Sequence, residues 1–435
     1  MNRFFVVIAA VPLALAAQQP AGDDGARPIA LDEAVRQAQR NAPAAVTARN
    51  ALRTSAAAVR SAYAQYIPSL SISSSGSRQG GETFFQGKLV PYSGVPWSFS
   101  RGLSTNLELF DGGRRWFNLK SAQANVDAAD ASETSQRYNI ALQVKQQYFA
   151  VLAARESEAA ARKQLEQAQE QLKSSTAKVR AGAATKSDSL RSAIQVGNAR
   201  LAQLTAQNNL RVANAALSRL VGAPDVVTAT PADTAEMGRI VLDSAQLAAL
   251  ALDGPTVRSA EAALVAARAA KKAAKTPYMP TISTSYSLSG NNTSETFDWG
   301  SGRIPKQNSL RFSLNFPLFN NLSREENVTR ATVAEENAVA SLRDAKLAQQ
   351  QSLVQFLGAF RTAEERVAIQ LASVAAAEED LRVQQQRYAL GASVLLDLLT
   401  SQTTLDQARA SLIQARYDAR IAKAQVEALI GRDLK

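Results

Sequence analysis

Neither cysteine nor histidine occurs in the 435-residue sequence. Without thiols and imidazoles there can be no disulfide, no Cys/His zinc site, no haem held by histidine and no triad or dyad that needs an imidazole base. The usual lipoprotein anchor, a cysteine, is missing too. No stretch after the N-terminus approaches 18 consecutive apolar residues, so no transmembrane helix is expected. Like charges are not concentrated either. Lys+Arg is 49 against 38 Asp+Glu, a formal net charge of +11, yet no run of five or more like charges occurs. Basic residues spread this way read as solvated helix faces, and a nucleic-acid patch interleaved with stacking aromatics is not present. Apolar residues at 46% and charged residues at 20% are those of a folded chain, and the length suggests two or three domains.

What is present begins with an address. Arg3, the apolar run Phe4 to Leu15 and the small-residue pattern Ala14-Leu15-Ala16 before Gln18-Gln19-Pro20 read as a secretory signal peptide over residues 1–17. The run is shorter than a span requires, so an uncleaved anchor is disfavoured. An exported chain without a transmembrane helix can cross a membrane only as a β-barrel.

The rest of the chain repeats itself. Asn41-Ala42-Pro43 returns as Asp253-Gly254-Pro255, and Tyr66-Ile67-Pro68-Ser69-Leu70 returns at the same offset as Tyr278-Met279-Pro280-Thr281-Ile282. Leu109-Phe110 returns as Leu318-Phe319, now at a slightly shorter offset. Gly182 and Gly391, Asp188 and Asp397, and Leu220-Val221-Gly222 and Leu429-Ile430-Gly431 keep that second offset. The single change of offset places three extra residues of the first copy in a surface loop between residues 70 and 109. The first repeat covers 28–222, with strands over about 67–110. A linker covers 223–241. The second repeat covers 242–431, with strands over about 279–319.

Each repeat reads as a helical stretch of about 35 residues ending at a proline, then a strand, a loop rich in Gly, Ser and aromatics, and a second strand. A much longer helix follows, running from just past the second strand to a glycine turn, and a shorter helix closes the repeat. Pro68, Pro280 and Pro317 stand at the junctions of helix and strand. Phe360, Val367, Val374, Leu381 and Tyr388 recur every seven residues, as do Leu398, Leu405, Leu412, Ala419 and Val426. Leu165, Leu172 and Val179 take the equivalent places in the first copy. Sustained heptads mean left-handed coiled-coil packing. From Gly113 to Ala181 such a helix runs about 100 Å, too long for one globular core.

The strands alternate. Leu310, Phe312, Leu314 and Phe316 interleave with Arg311, Ser313 and Asn315. Ile282, Thr284, Tyr286 and Leu288 interleave with serines, and Leu103, Thr105, Leu107 and Leu109 with Ser104, Asn106 and Glu108. Period two suits a sandwich strand as well as a barrel with lipid outside and water inside. Phe84, Phe85, Tyr92, Trp97, Phe99, Phe297 and Trp299 near the strand ends fit an interfacial girdle. Together with export and the long helices they favour the barrel. Two hairpins supply four strands, too few to close one, so several chains must share it. Three chains would give twelve.

On these residues the chain resembles the TolC-like outer-membrane efflux proteins over nearly the whole mature sequence. The resemblance rests on Tyr66-Ile-Pro-Ser-Leu70, Leu109-Phe-Asp-Gly-Gly113, Gly182-Ala-Ala-Thr-Lys-Ser-Asp188 and Gly391-Ala-Ser-Val-Leu-Leu-Asp397, in that order and spacing. It implies a mainly α-helical mixed fold in two internal repeats: an antiparallel coiled-coil tunnel joined to a membrane β-barrel of four strands per chain. The assembly would be a homotrimer with a 12-strand barrel in the outer membrane and a 12-helix tunnel in the periplasm. It would act as a passive duct with no enzyme activity, cofactor, metal or nucleic acid. Its partners would be outer-membrane lipid, a periplasmic adaptor (membrane fusion) protein and an inner-membrane pump of the RND or ABC type. Carried over by residue, the adaptor-docking tips are Gly182 to Asp188 and Gly391 to Asp397. The periplasmic gate is Asp188, Tyr388 and Asp397, with Tyr388 bonded to Asp188. Ser393, where the family has a basic residue, and Thr400, where it has an acidic one, depart from the pattern and imply a gate held more loosely or by other contacts, with a weaker cation block at a single Asp397 ring. Each tip Asp also fits simple capping of the next helix.

Two enzyme-like matches carry little. Ser175-Thr-Ala-Lys178 fits S-x-x-K but sits in the coiled coil without partner motifs. Gly81 to Lys88 is one residue too long for a P-loop. A type I protein secretion duct is the alternative function. An exported coiled-coil fibre is a further rival, but it leaves the two equivalent hairpins unexplained.

Overall fold

The computed structural model describes residues 26–91, 96–230, 244–297 and 306–432. The signal segment 1–17, residues 231–241 of the linker, Tyr92 and Trp299 lie outside them. Two compact units form. One comprises the described parts of Met1–Gln37, Val144–Glu236 and Val374–Tyr417; the other, those of Ala38–Gln143, Met237–Ser373 and Asp418–Lys435. This division does not follow the two sequence repeats, because contacts join segments far apart in the chain.

In chain order the elements are β1 (Arg27–Ile29), α1 (Leu31–Asn41), α2 (Pro43–Ala64), β2 (Ser69–Ser77), β3 (Glu82–Phe85), β4 (Lys88–Pro91), β5 (Trp97–Phe110), α3 (Arg114–Arg180) and α4 (Lys186–Val221). There follow β6 (Val227–Ala229), α5 (Ser244–Leu252), α6 (Pro255–Lys275), β7 (Thr281–Ser294), β8 (Gln307–Asn315), α7 (Ser323–Ala389) and α8 (Leu395–Ile430). The expected long helix of each repeat is a helix of 67 residues, and the last one has 36. No helix of the described residues is long and apolar enough to cross a membrane.

Three sequence expectations need correction. The opening helical stretch is broken in both repeats: Pro43 starts α2 and Pro255 starts α6. Proline is favoured in a first turn, but it has no N–H to continue a preceding helix. The segment read as linker contains β6, which pairs parallel with β1. Arg155 and Tyr148 fix that small sheet, Arg155 Nη1 donating to the Ala229 carbonyl at 2.8 Å and Tyr148 Oη to the Ile29 carbonyl at 3.1 Å. The loop between β2 and β5 holds an unforeseen hairpin, β3–β4, turned by Gln86 and Gly87 at φ 49° and 77°. Two successive positive φ values are the mark of a tight hairpin turn, but Gln-Gly is a weaker signal for it than Asn-Gly.

In the first unit the heptads of α7 and α8 meet as a core. Leu381, Leu395, Leu398 and Leu405 are buried together, with Val374 and Tyr388 packed against them. Over residues 153–180 of α3 the buried positions are Ala161, Ala168 and Ser175, again seven apart, while Leu165, Leu172 and Val179 are only half-buried. The small residues occupy the seam because they allow the closest approach between backbones, and the larger ones flank it. Ser175 donates to the Leu172 carbonyl at 3.0 Å and is buried, so nothing exposes it as a nucleophile.

The second unit carries one antiparallel sheet in the order β2-β5-β7-β8. Its register sorts the two faces. Leu70, Ile72, Leu103, Leu107, Ile282, Tyr286, Leu288, Leu310, Phe312 and Leu314 share one face, and serines with a few other polar residues share the other. The apolar face is largely bare, with Ile72 82% and Phe312 68% exposed. Phe316 falls just beyond β8. Trp97 and Phe99 pack with Phe297 at ring separations of 4.9 and 5.7 Å.

Pro68 and Pro280 stand immediately before β2 and β7, and Pro317 lies between β8 and α7. Two arginines clasp these junctions. Arg115 Nε donates to Asp111 at 3.0 Å, both groups being buried, and its guanidinium covers the Tyr66 ring at 4.9 Å. Asp111 also accepts from the backbone N–H groups of Gly113 and Arg115. At the equivalent place in the second repeat, Arg324 covers the Tyr278 ring at 4.8 Å and donates to the Pro317 and Leu318 carbonyls. There Asn320 replaces Asp111, and Asn320 Oδ1 and Arg324 Nε are buried without partners. Asn321 and Leu322 hold φ of 55° and 61°, where the first junction has Gly112 and Gly113. A leucine in the left-handed region is strained by about 1–2 kcal/mol.

Removing one partner of a buried ion pair strands the other, at about 3–5 kcal/mol. Asp111→Ala should therefore lower the thermal unfolding midpoint of the purified protein markedly. Asn320→Ala removes an acceptor that already lacks a partner and should leave the midpoint nearly unchanged. Equal effects would refute this reading of the junctions.

Candidate functional site

The two helical turns singled out in the sequence, 182–188 and 391–397, both lie in the first unit. Each is closed by the same device. The Ala183 N–H donates to the Lys178 carbonyl and the Ala392 N–H to the Arg387 carbonyl, both at 2.8 Å, across glycines at φ 74° and 73°. These six-to-one bonds over a left-handed residue end a helix without leaving its carbonyls bare. A Cβ added at Gly182 or Gly391 would meet nothing within 4 Å. Glycine is therefore demanded here by backbone conformation and not by crowding within the chain.

The turns differ in how the next helix begins. Thr185 caps α4, accepting from the Asp188 N–H at 3.3 Å. Asp188 Oδ2 accepts from the Thr185 N–H at 3.0 Å and from its hydroxyl at 2.8 Å. That reciprocal box holds the Asp188 carboxyl below its ordinary value, the Thr185 hydroxyl bond contributing most and the backbone bond next. At the second turn the capping position is Val394, which has no side-chain acceptor. Asp397 instead accepts from Ser393 Oγ at 3.1 Å. The residue that departs from the family pattern, Ser393, thus bonds the tip carboxylate directly. Thr400 turns its hydroxyl back to the Leu396 carbonyl at 2.9 Å.

Tyr388 sits half-buried beside these turns. Burial first, then the nearby Asp188 charge, pushes its phenol above the ordinary value. Within one chain the Asp188 carboxylate accepts its hydrogen bonds from Thr185, and its influence on Tyr388 is through charge. Besides the core it packs against, the Tyr388 ring meets Lys178, whose ammonium is 4.0 Å from the ring centroid, a favourable cation–π contact. The sequence reading gave neither Lys178 nor Thr185 a part in the gate. Thr185 was legible as the first member of T-x-x-D before a helix; Lys178 was not, since its contact crosses two helices. The arrangement brings together a carboxylate, a phenol and an ammonium at a glycine-ended turn. No group of His, Cys, Asp and Glu able to hold a metal occurs among the described residues.

The family model for outer membrane efflux proteins matches residues 34–223 and 248–432. The chain belongs to the outer membrane efflux protein family. The pyoverdine export outer membrane protein OpmQ of Pseudomonas aeruginosa is 26% identical over 322 residues, covering 73% of this chain and 67% of that protein. The outer membrane efflux protein BepC of Brucella suis is 24% identical over 322 residues, 74% of this chain and 69% of that protein. These matches span about two thirds of each relative's length. The open-state MtrE outer membrane channel of Neisseria gonorrhoeae shares the fold, with a TM-score of 0.76 at 22% identity over 93% of this chain and 89% of that one. Membership places this protein in the cell outer membrane and makes it an efflux protein; its family is one of channels, not of enzymes.

The unequal caps make a prediction. Thr185→Ala should loosen the first turn of α4 by about 1 kcal/mol, seen as faster amide exchange at residues 186–189. Val394→Thr should slow exchange at the start of α8, because Asp397 already stands where the box needs its acid. Asp188 has a depressed pKa when folded. Its contribution is therefore complete above the unfolded carboxylate value of 3.8 and is lost as pH falls through the folded one.

Proposed function

We propose that this protein is the outer-membrane duct of a tripartite efflux system. Three copies would form a passive channel that carries substrates from an inner-membrane pump of the RND or ABC type, through a periplasmic adaptor, to the exterior. The observation that carries this reading is the four-stranded sheet, apolar on one face and hydroxylic on the other, with β2 and β8 at its two ends. Hydrocarbon tolerates no open strand edge, so β8 of one copy pairs with β2 of the next. Three copies close twelve strands, and the long helices of both repeats, 28–222 and 242–431, continue as a twelve-helix tunnel in the periplasm. No fuel is needed in the chain, because the pump supplies the energy.

The turns at 182–188 and 391–397 are the proposed adaptor docks. The space around Gly182 and Gly391 lets a partner backbone approach closely. Asp188, Tyr388 and Asp397 form the gate, and three copies set Asp188 and Asp397 in rings that would constrict and attract cations. Lys178 against Tyr388 is a contact that helps to hold this gate. Small-molecule efflux is favoured over type I protein secretion, since OpmQ is named for export of pyoverdine, and the channel fold leaves the fibre reading without support.

Two measurements test the proposal. Gly182→Trp and Gly391→Trp should abolish export while three-fold particles still form in the outer membrane; normal export would move the docks elsewhere. Tyr388→Phe combined with Asp188→Ala should raise the conductance of the purified channel in planar bilayers, and an unchanged conductance would place the gate in other residues.

A further inference from the structure

The polar face of the sheet is more uniform than a wet face requires. Ser71, Ser104, Ser287 and Ser309 are register neighbours across all four strands. Their hydroxyls pair, Ser71 with Ser104 at 2.6 Å and Ser287 with Ser309 at 2.8 Å. A second pair, Ser75 and Ser100, meets at 2.7 Å. Between these rows Ser73 lies over Gly102, where an added Cβ would come within 3.0 Å of its Oγ. On this face the four strands carry no apolar side chain. Their charged residues there are Glu108 and Arg311. Glu108 is engaged by Arg114, whose Nη2 lies 2.9 Å away. Arg311 is exposed, sits one row from the Ser287–Ser309 pair opposite Ser285, and has no ion pair among the described residues.

We infer that this hydroxyl face with its Arg311 is a selectivity surface, and that the solutes it favours are anionic and hydroxyl- or carboxylate-rich. The inference rests on the proposed closure of the sheet by three chains. A lattice of paired hydroxyls offers donors and acceptors to a passing polar solute but no apolar surface on which an amphipathic one could settle. Three copies set Arg311 as a ring of positive charge within that neutral wall. A ring of one sign in a confined channel raises the local concentration of the opposite sign. The gate carboxylates would act on cations; the barrel wall acts on anions, and the two filters are set by different residues.

The absence of cysteine from the chain permits a clean test that does not depend on the gate being open. Ser309→Cys on the polar face and Leu310→Cys on the apolar face each introduce one thiol. Intact cells are treated with membrane-impermeant methanethiosulfonates, one anionic and one cationic. The thiol at 309 should react, and faster with the anionic reagent; the thiol at 310 should react with neither. Adding Arg311→Gln to Ser309→Cys should lower the anionic-to-cationic rate ratio several-fold, and Arg311→Glu should invert it. Labelling at 310 as fast as at 309 would refute the closed barrel itself. Labelling confined to 309 with a rate ratio indifferent to residue 311 would overturn the selectivity surface and leave the barrel standing. No labelling at either position would overturn the solute-accessible wall.

Discussion

A four-stranded sheet has two ends, and in hydrocarbon neither end can be left with bare backbone groups. Most of what is proposed for this protein follows from that constraint. The sheet β2-β5-β7-β8 gathers its large apolar side chains on one face, with Arg101, Asn292 and Asn308 toward one end of it, and its hydroxyls on the other, so that lipid on one side and water on the other is the arrangement its chemistry fits. Closing it demands further copies. Once copies are arranged about an axis, any residue near that axis is repeated as a ring. A lone Arg311, Asp188 or Asp397, an ordinary surface charge in a single chain, then becomes part of a continuous band of charge.

The two halves of the chain use the same positions with different completeness. At the first strand–helix junction Asp111 neutralises Arg115 and two glycines take the left-handed turn. At the second, Asn320 leaves Arg324 Nε without a partner, and Asn321 and Leu322 take the same turn under strain. At the tips Thr185 completes a capping box with Asp188, whereas Val394 cannot do so for Asp397. In each pair one copy is fully satisfied and the other is looser. Tolerated strain and missing partners lower the barrier to local rearrangement. A duct that must seal and open has use for such inequality.

Much of the fold could be read in the residues. The heptads on α7 and α8 placed Leu381, Leu398 and Leu405 in the core where they are found, and the alternation in β5, β7 and β8 assigned the faces. Gly182 and Gly391 were legible as left-handed helix ends because helix-stop chemistry is local. The errors arose where contacts decide. The opening stretch of each repeat was read as one helix, though Pro43 and Pro255 each start a new one. Strand β6 is only three residues long and is stabilised by Arg155 and Tyr148, which lie far away in sequence. On α3 the leucines drew attention, yet the alanines and Ser175 form the buried seam, because a heptad gives the period but not which of two neighbouring rows faces inward.

The sequence by itself determined the long helices, the strands of the main sheet, their repeated order and the family, since each of these rests on local spacing, composition and residue identity. Tertiary structure alone decided which groups meet. It set Lys178 on Tyr388, folded Arg115 and Arg324 over their tyrosines, and lined up serines from four strands in one row. Most of those partners come from separate helices or strands, and side-chain chemistry at short range is fixed only once the backbone has brought them within a few ångströms.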